Sequence, residues 1–149
     1  MTECKSGVYG SSRCPITPIG GIVIYMVNGT GQASVKGSLV SASTSADNKF
    51  ILQSNEYDTI GIVYDNGIAD GGKCRIVIAG IAEVLFKDTV AATRGNVLIA
   101  ADTDGRGTGI ANPGSGLPAT DTHFKECGHV LESKDAGTNV LVKCIVHFN

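Results

Sequence analysis

The sequence predicts an all-β protein, a compact β-barrel or β-sandwich-like domain over residues 22–149 with an extended N-terminal arm over residues 1–21. Three observations predict it. Residues 71–88 alternate with period two: Cys74, Ile76, Ile78, Gly80, Ala82, Val84 and Phe86 share one side, and all are apolar or small. Residues 139–148 do the same, with Val140, Val142, Cys144, Val146 and Phe148 on one face. Twenty glycines punctuate the chain, and no long helical pattern separates them.

The elements follow in order. Residues 1–21 lack periodicity, and Pro15 and Pro18 hold their predecessors extended, so they read as an arm with Tyr9, Ile16 and Ile19 as apolar anchors. Residues 22–27 are a strand ended by the turn Asn28-Gly29-Thr30-Gly31. That tripeptide also fits a glycosylation sequon, but is read here as a turn. Residues 34–41 are expected to form a hairpin with Lys36-Gly37 at its corner. Short strands follow at residues 50–52 and 60–64, and turn signals at Asp65-Asn66-Gly67 and Asp70-Gly71-Gly72 introduce the long central strand. Gly80, at its midpoint, marks a bend or bulge onto a second sheet. A glycine corner at Arg94-Gly95 leads into a strand ending at Ala100, then a Gly/Pro-rich loop, a strand over residues 127–131 and the closing strand. The halves repeat weakly. Lys36-Gly37-Ser38-Leu39-Val40 recurs as Arg94-Gly95-Asn96-Val97-Leu98, 58 positions on, and Ile60-Gly61-Ile62-Val63 as Cys127-Gly128-His129-Val130, 67 positions on.

Charge and cysteine content narrow the function classes. A net charge of −2 without clustered Lys or Arg argues against nucleic-acid binding. No apolar run reaches the roughly 18 residues of a membrane span, and residues 2–6 show no apolar core of a signal peptide, so no membrane partner is expected. Five cysteines without a CxxC pair read as free thiols of a protein made in a reducing cytoplasm, with Cys74 and Cys144 as small core residues. Pairing of Cys4 with Cys14 in an oxidising medium stays open.

Catalytic patterns are missing. Asp102-x-Asp104-Gly105 invites a calcium loop, but the twelfth position is Pro113 instead of Glu, and a plain turn is the better reading. Gly105-x-Gly107-x-Gly109 lacks dinucleotide-loop spacing, and no nucleophile elbow is present. Phe86-Lys87-Asp88 lacks the flanking residues of a lipoyl attachment turn. His123, His129 and His147 have no ligand spacing. His129 and His147 can meet across neighbouring strands, but surface histidines are the preferred reading. No catalytic residue, metal or cofactor is expected.

Several stretches carry a family resemblance: Gly61-Ile62-Val63 with Asp65-Asn66-Gly67-Ile68-Ala69-Asp70-Gly71, Ile78-Ala79-Gly80-Ile81-Ala82-Glu83-Val84, the Asp88-Thr89-Val90 and Arg94-Gly95-Asn96-Val97-Leu98 corner, and Gly128-His129-Val130-Leu131-Glu132 with Ala136-Gly137. Over residues 22–148 the pattern resembles the capsid decoration (cement) proteins of tailed bacteriophages. The resemblance implies a homotrimer that binds the major capsid protein on the virion capsid surface, made in the host bacterial cytoplasm. Residues 1–21 and 105–122 have no match in it. Tyr9, Arg13, Ile16, Ile19, Arg94 and Arg106, on the arm or at corners, are the candidate partner-binding residues. The alternative is a virion-surface ligand- or carbohydrate-binding β module, which needs exposed aromatics.

Overall fold

The computed structural model describes residues 15–55, 57–112, 114 and 119–148. Among the described residues, nine strands form one continuous sheet. They are β1 (Gly21–Asn28), β2 (Leu39–Ala42), β3 (Lys49–Leu52), β4 (Thr59–Val63), β5 (Lys73–Leu85), β6 (Val97–Ala100), β7 (Gly107–Ile110), β8 (Glu126–Val130) and β9 (Leu141–Val146). A single short helix among the described residues, α1 (Thr120–Lys125), precedes β8.

The sheet closes on itself. In spatial order β1, β3, β2, β4 and β5 are neighbours, and β5 pairs back to β1, which makes a five-stranded barrel. Its one parallel step is β1 with β3, at Val27 to Lys49 and Asn28 to Phe50. Beyond β5 the order continues β9, β8, β6, β7. A parallel bridge from Phe86 to Gly107 brings β7 back beside the end of β5. A second ring therefore has the order β5, β7, β6, β8, β9, which reproduces β1, β3, β2, β4, β5 of the first.

This is the physical content of the sequence repeat. β3 begins at Lys49 and β7 at Gly107, 58 positions on. The β2–β4 ladder slips between Val40 and Ser41, and the β6–β8 ladder slips between Leu98 and Ile99, again 58 positions on. Both slips are β-bulges that place one extra residue on the partner strand.

One strand serves both rings. β5 has thirteen residues, about 43 Å at roughly 3.3 Å per residue, too long for one small barrel. Its first half pairs with β1 and β4 and its second half with β9, and Gly80 pairs with both Gly21 and Val146. Gly80 adopts φ +84°, and a Cβ there would lie 2.3 Å from the Gly20 carbonyl oxygen. Only glycine allows both the turn and the approach.

Neighbouring residues on the first ring's strands divide between two cores. Val40, Phe50, Val63, Cys74 and Ile76 fill that ring. Leu39, Ile62 and Val77 point the other way and join the larger core of Val84, Phe86, Leu98, Val130, Val142 and Cys144 inside the second ring. Each ring thus buries what the other leaves apolar.

The expected hairpin over residues 34–41 does not form. Ser34 N–H donates to the Ile68 carbonyl, Gly37 N–H to that of Val63, and strand structure begins only at Leu39. Long-range partners claim the backbone groups that a local hairpin would use. β7 and α1 lie where a Gly/Pro-rich loop is expected. No helix of the described residues is long and apolar enough to cross a membrane.

Candidate functional site

The segment entering β1 carries several exposed apolar side chains. Thr17, buried, accepts the Gly21 N–H at 2.8 Å through its hydroxyl, and Val23 N–H donates to the Pro15 carbonyl at 2.7 Å. These bonds fold residues 15–20 back as a hook, with Ile16 bridged to Ile22. The hook and β1 leave Ile16, Ile22, Ile24 and Tyr25 between 41% and 47% exposed. Ile24 and Tyr25 are consecutive in β1, opposite Ile76 and Arg75, so these exposed apolar side chains divide between the two faces of the strand.

Of the residues singled out from sequence, Ile16 lies on this surface and Ile19 is half-buried in the hook. Tyr9 and Arg13 fall outside the described residues, as do Cys4 and Cys14. Arg94 sits at an exposed corner, where its backbone N–H and Nε both donate to Ser133 Oγ, at 3.1 and 3.3 Å. Arg106 is turned inward. Its guanidinium donates to the Phe86 carbonyl and Asp88 Oδ1, at 3.1 and 3.2 Å, and to Asn139 Oδ1 at 2.7 Å. It clamps the β7 start to the end of β5 and to the loop before β9, so its main task is internal. The two arginines anchor separate corners and do not form one patch.

Asn28 is fully buried. Its Nδ2 donates to the Gln32 and Ile68 carbonyls, both at 2.8 Å, and its Oδ1 accepts from Thr30 N–H and Oγ1. The sequon asparagine therefore spends its amide on holding the loop after β1. At the mouth of the first ring, Arg75 grips Asp65 through Nε and Nη2, with 2.6 Å to Oδ1, and stacks 4.7 Å from the Tyr64 ring. Burial alone would raise the Asp65 carboxyl, but the hydrogen bonds and charge of Arg75 outweigh it and hold it below its usual 3.8.

Sequence reasoning let His129 and His147 meet across neighbouring strands but missed Glu126, which completes a polar cluster with them. Glu126 and His129 are three apart, a spacing that puts strand residues on opposite faces. The β6–β8 bulge changes this: Leu98 faces Gly128 and Ile99 faces Glu126, so Cys127 is the extra residue. Gly128 carries φ +146°, and a Cβ there would lie 2.0 Å from the Ile145 carbonyl oxygen. Cys127 turns into the core while Glu126 and His129 reach the outer face, where His147 arrives from the end of β9. Both imidazole Nε2 atoms lie against Glu126 Oε1, at 3.1 and 3.2 Å. The signal was present in the repeat, which aligns Gly128 with Gly61.

The three described thiols, Cys74, Cys127 and Cys144, are buried. Burial pushes Cys127 up to about 11 and Cys144 to about 12, so they are inert core residues near neutral pH. In the groove beside Arg106, Asp104 and Arg106 are the charged residues of the lining.

A likeness to a known structure now stands beside this geometry. The chain shares its fold with the head fiber gp8.5 N base of bacteriophage phi29. The TM-score is 0.56 at 12% sequence identity, over 84% of this chain and 92% of that one. At such identity the likeness is one of fold. No protein-family model and no curated protein matches the chain.

Proposed function

We propose that the chain is a structural protein of a bacteriophage virion, made in the host cytoplasm. In this reading it decorates the capsid surface by binding the major capsid protein, and it works as a homotrimer. The observation that carries the reading is the fold shared with a phage head fiber base over most of the chain. The exposed apolar side chains of Ile16, Ile22, Ile24 and Tyr25 supply the means. Because these side chains are already more than half buried, covering the rest is worth about 1 kcal/mol each before the costs of association. Three copies docking together multiply contacts that are weak singly. The molecule then acts through surfaces and not by catalysis.

Light scattering tests the assembly, on the full chain and on a form lacking residues 1–14 that keeps the folded hook. A trimer in both forms places assembly in the β domain and leaves the first residues for the shell. Cosedimentation with heads that lack the protein tests the docking, with Ile22→Asp and Tyr25→Asp together expected to abolish it. A monomer that fails to bind heads would overturn the reading.

Exposed Tyr57 and Phe124 favour the second reading, a ligand-binding virion module. The Tyr57 hydroxyl bonds to Asp121, and Lys125 lies 5.3 Å from the Tyr57 ring, so α1 and the β3–β4 loop present an aromatic ledge. Glycan-array binding that is lost in Tyr57→Ala would support that module.

A further inference from the structure

We propose that Glu126, His129 and His147 form a binding site for a divalent first-row transition metal, and that zinc suits its donors. The three residues each offer a ligand atom, and these atoms lie within 4.8 Å of one another.

The geometry fits an ion. With metal–nitrogen and metal–oxygen bonds of about 2.1 Å, neighbouring donors stand about 3.4 Å apart at a tetrahedral angle and about 3.0 Å at a right angle. The observed Nε2 to Oε1 distances, 3.1 Å from His129 and 3.2 Å from His147, fall between these values. The two rings have centroids 5.5 Å apart and are tilted by 42°, so they converge on the carboxylate without stacking on each other. Both imidazoles are half-exposed, so they are able to turn to admit the ion between them. Each Nε2 would then present its lone pair to the metal, with the ring proton on Nδ1.

The backbone holds the site before any metal arrives. Glu126 and His129 share a face only because of the bulge, and the bulge requires Gly128. His147 is fixed across from it, where its N–H donates to the Cys127 carbonyl at 3.0 Å. Glu126 is the least exposed of the three, at 16% for its side chain, so its carboxylate is already partly desolvated.

The first ring shows what the same positions do without the cluster. The pairings Leu39 to Ile62 and Ile62 to Val77 recur as Val97 to His129 and His129 to Ile145. Thr59 stands where Glu126 does, each the residue beyond the bulge. In the first ring that face is apolar and packs against the second. In the second ring it faces outward and carries imidazoles and a carboxylate. Mixed nitrogen and oxygen donors favour zinc, copper, nickel or cobalt over the all-oxygen preferences of calcium and magnesium. Three protein ligands leave a coordination position for water or for a donor from a partner.

Isothermal titration of zinc chloride into the chelator-stripped, reduced full chain is the test. One zinc per chain is expected. Binding should persist in His123→Gln and be lost in the double variant His129→Gln, His147→Gln, and far-UV circular dichroism should confirm that both variants fold. Glu126→Gln should weaken binding at least about tenfold. Zinc, but not magnesium, should raise the melting temperature of the wild-type chain. Cobalt(II) bound to the wild type should give a spectrum without a thiolate charge-transfer band, which separates this site from the cysteines. Absence of zinc binding, binding undiminished in the double variant, or a thiolate band would each overturn the proposal.

Discussion

Asn28 shows how one buried polar side chain organises a loop. Its amide satisfies two carbonyls from different segments, and its oxygen accepts twice from Thr30. Asn28→Ala would leave the Gln32 and Ile68 carbonyls without that donor, and we expect a loss of about 3 kcal/mol in urea unfolding. Asn28→Asp should be nearly as costly, because a carboxylate cannot donate to them. Asp65 carries a pH signature. Its folded pKa is held down by Arg75, so the pair's contribution is fully present above the unfolded value near 3.8. It is lost as pH falls through the lower folded value. Unfolding titrations of the wild type and Asp65→Asn should therefore differ at pH 7 and converge as the solution is acidified below about pH 4. The thiols give the opposite sign. Burial raises Cys127 to about 11 and Cys144 to about 12, so their contribution is complete below the ordinary thiol value of 9.0 and is lost as pH climbs through those values. Alkylation at pH 8 should spare Cys74, Cys127 and Cys144 in the native chain and label them in urea.

At the scale of elements, β5 governs the fold, and Gly80 is its weakest point to change. Gly80→Ala forces a side chain into a positive-φ position and against the Gly20 carbonyl. We expect at least about 3 kcal/mol of destabilisation in urea unfolding. A wild-type midpoint would mean that the bend does not depend on glycine. β5 and β9 were legible in the sequence because each buries one face along its length, so alternation survives as a clean pattern. The bend was legible too, since a glycine at the centre of an apolar strand has few other uses. What failed was set at long range. Residues 34–38 look like half of a hairpin, but their backbone bonds to Ile68, Asn66 and Val63 instead. β7 is Gly-Thr-Gly-Ile, without any apolar alternation, and exists because β6 lies beside it. α1 buries no side chain, so it leaves no helical period to read. The meeting of His129 and His147 was legible, but the place of Glu126 beside them was hidden for a related reason. Periodicity assumes an unbroken ladder, and the bulge breaks it between Glu126 and His129.

At the scale of the whole molecule, the repeat found through its glycine corners becomes two rings that share a strand and a core. A barrel was one of the two architectures the sequence offered, but which strands close it was not legible, because the parallel β1–β3 contact and the Phe86 to Gly107 bridge have no local pattern. Sharing has a thermodynamic consequence. Leu39, Ile62 and Val77 belong to strands of the first ring but are packed in the core that fills the second. Neither ring keeps a complete interior if the other opens, and β5 cannot leave one without leaving both. The two rings should therefore unfold as one cooperative unit. Native-state hydrogen exchange can decide this: the slowest amides of β4 and β8 should share a single opening free energy and a single denaturant slope. Leu39→Ala, which cuts a fully buried side chain where the rings meet, should lower both by the same amount, about 3 kcal/mol. Two separate opening energies, or a loss confined to β4, would mean that the rings fold as independent halves joined only by the covalent continuity of β5.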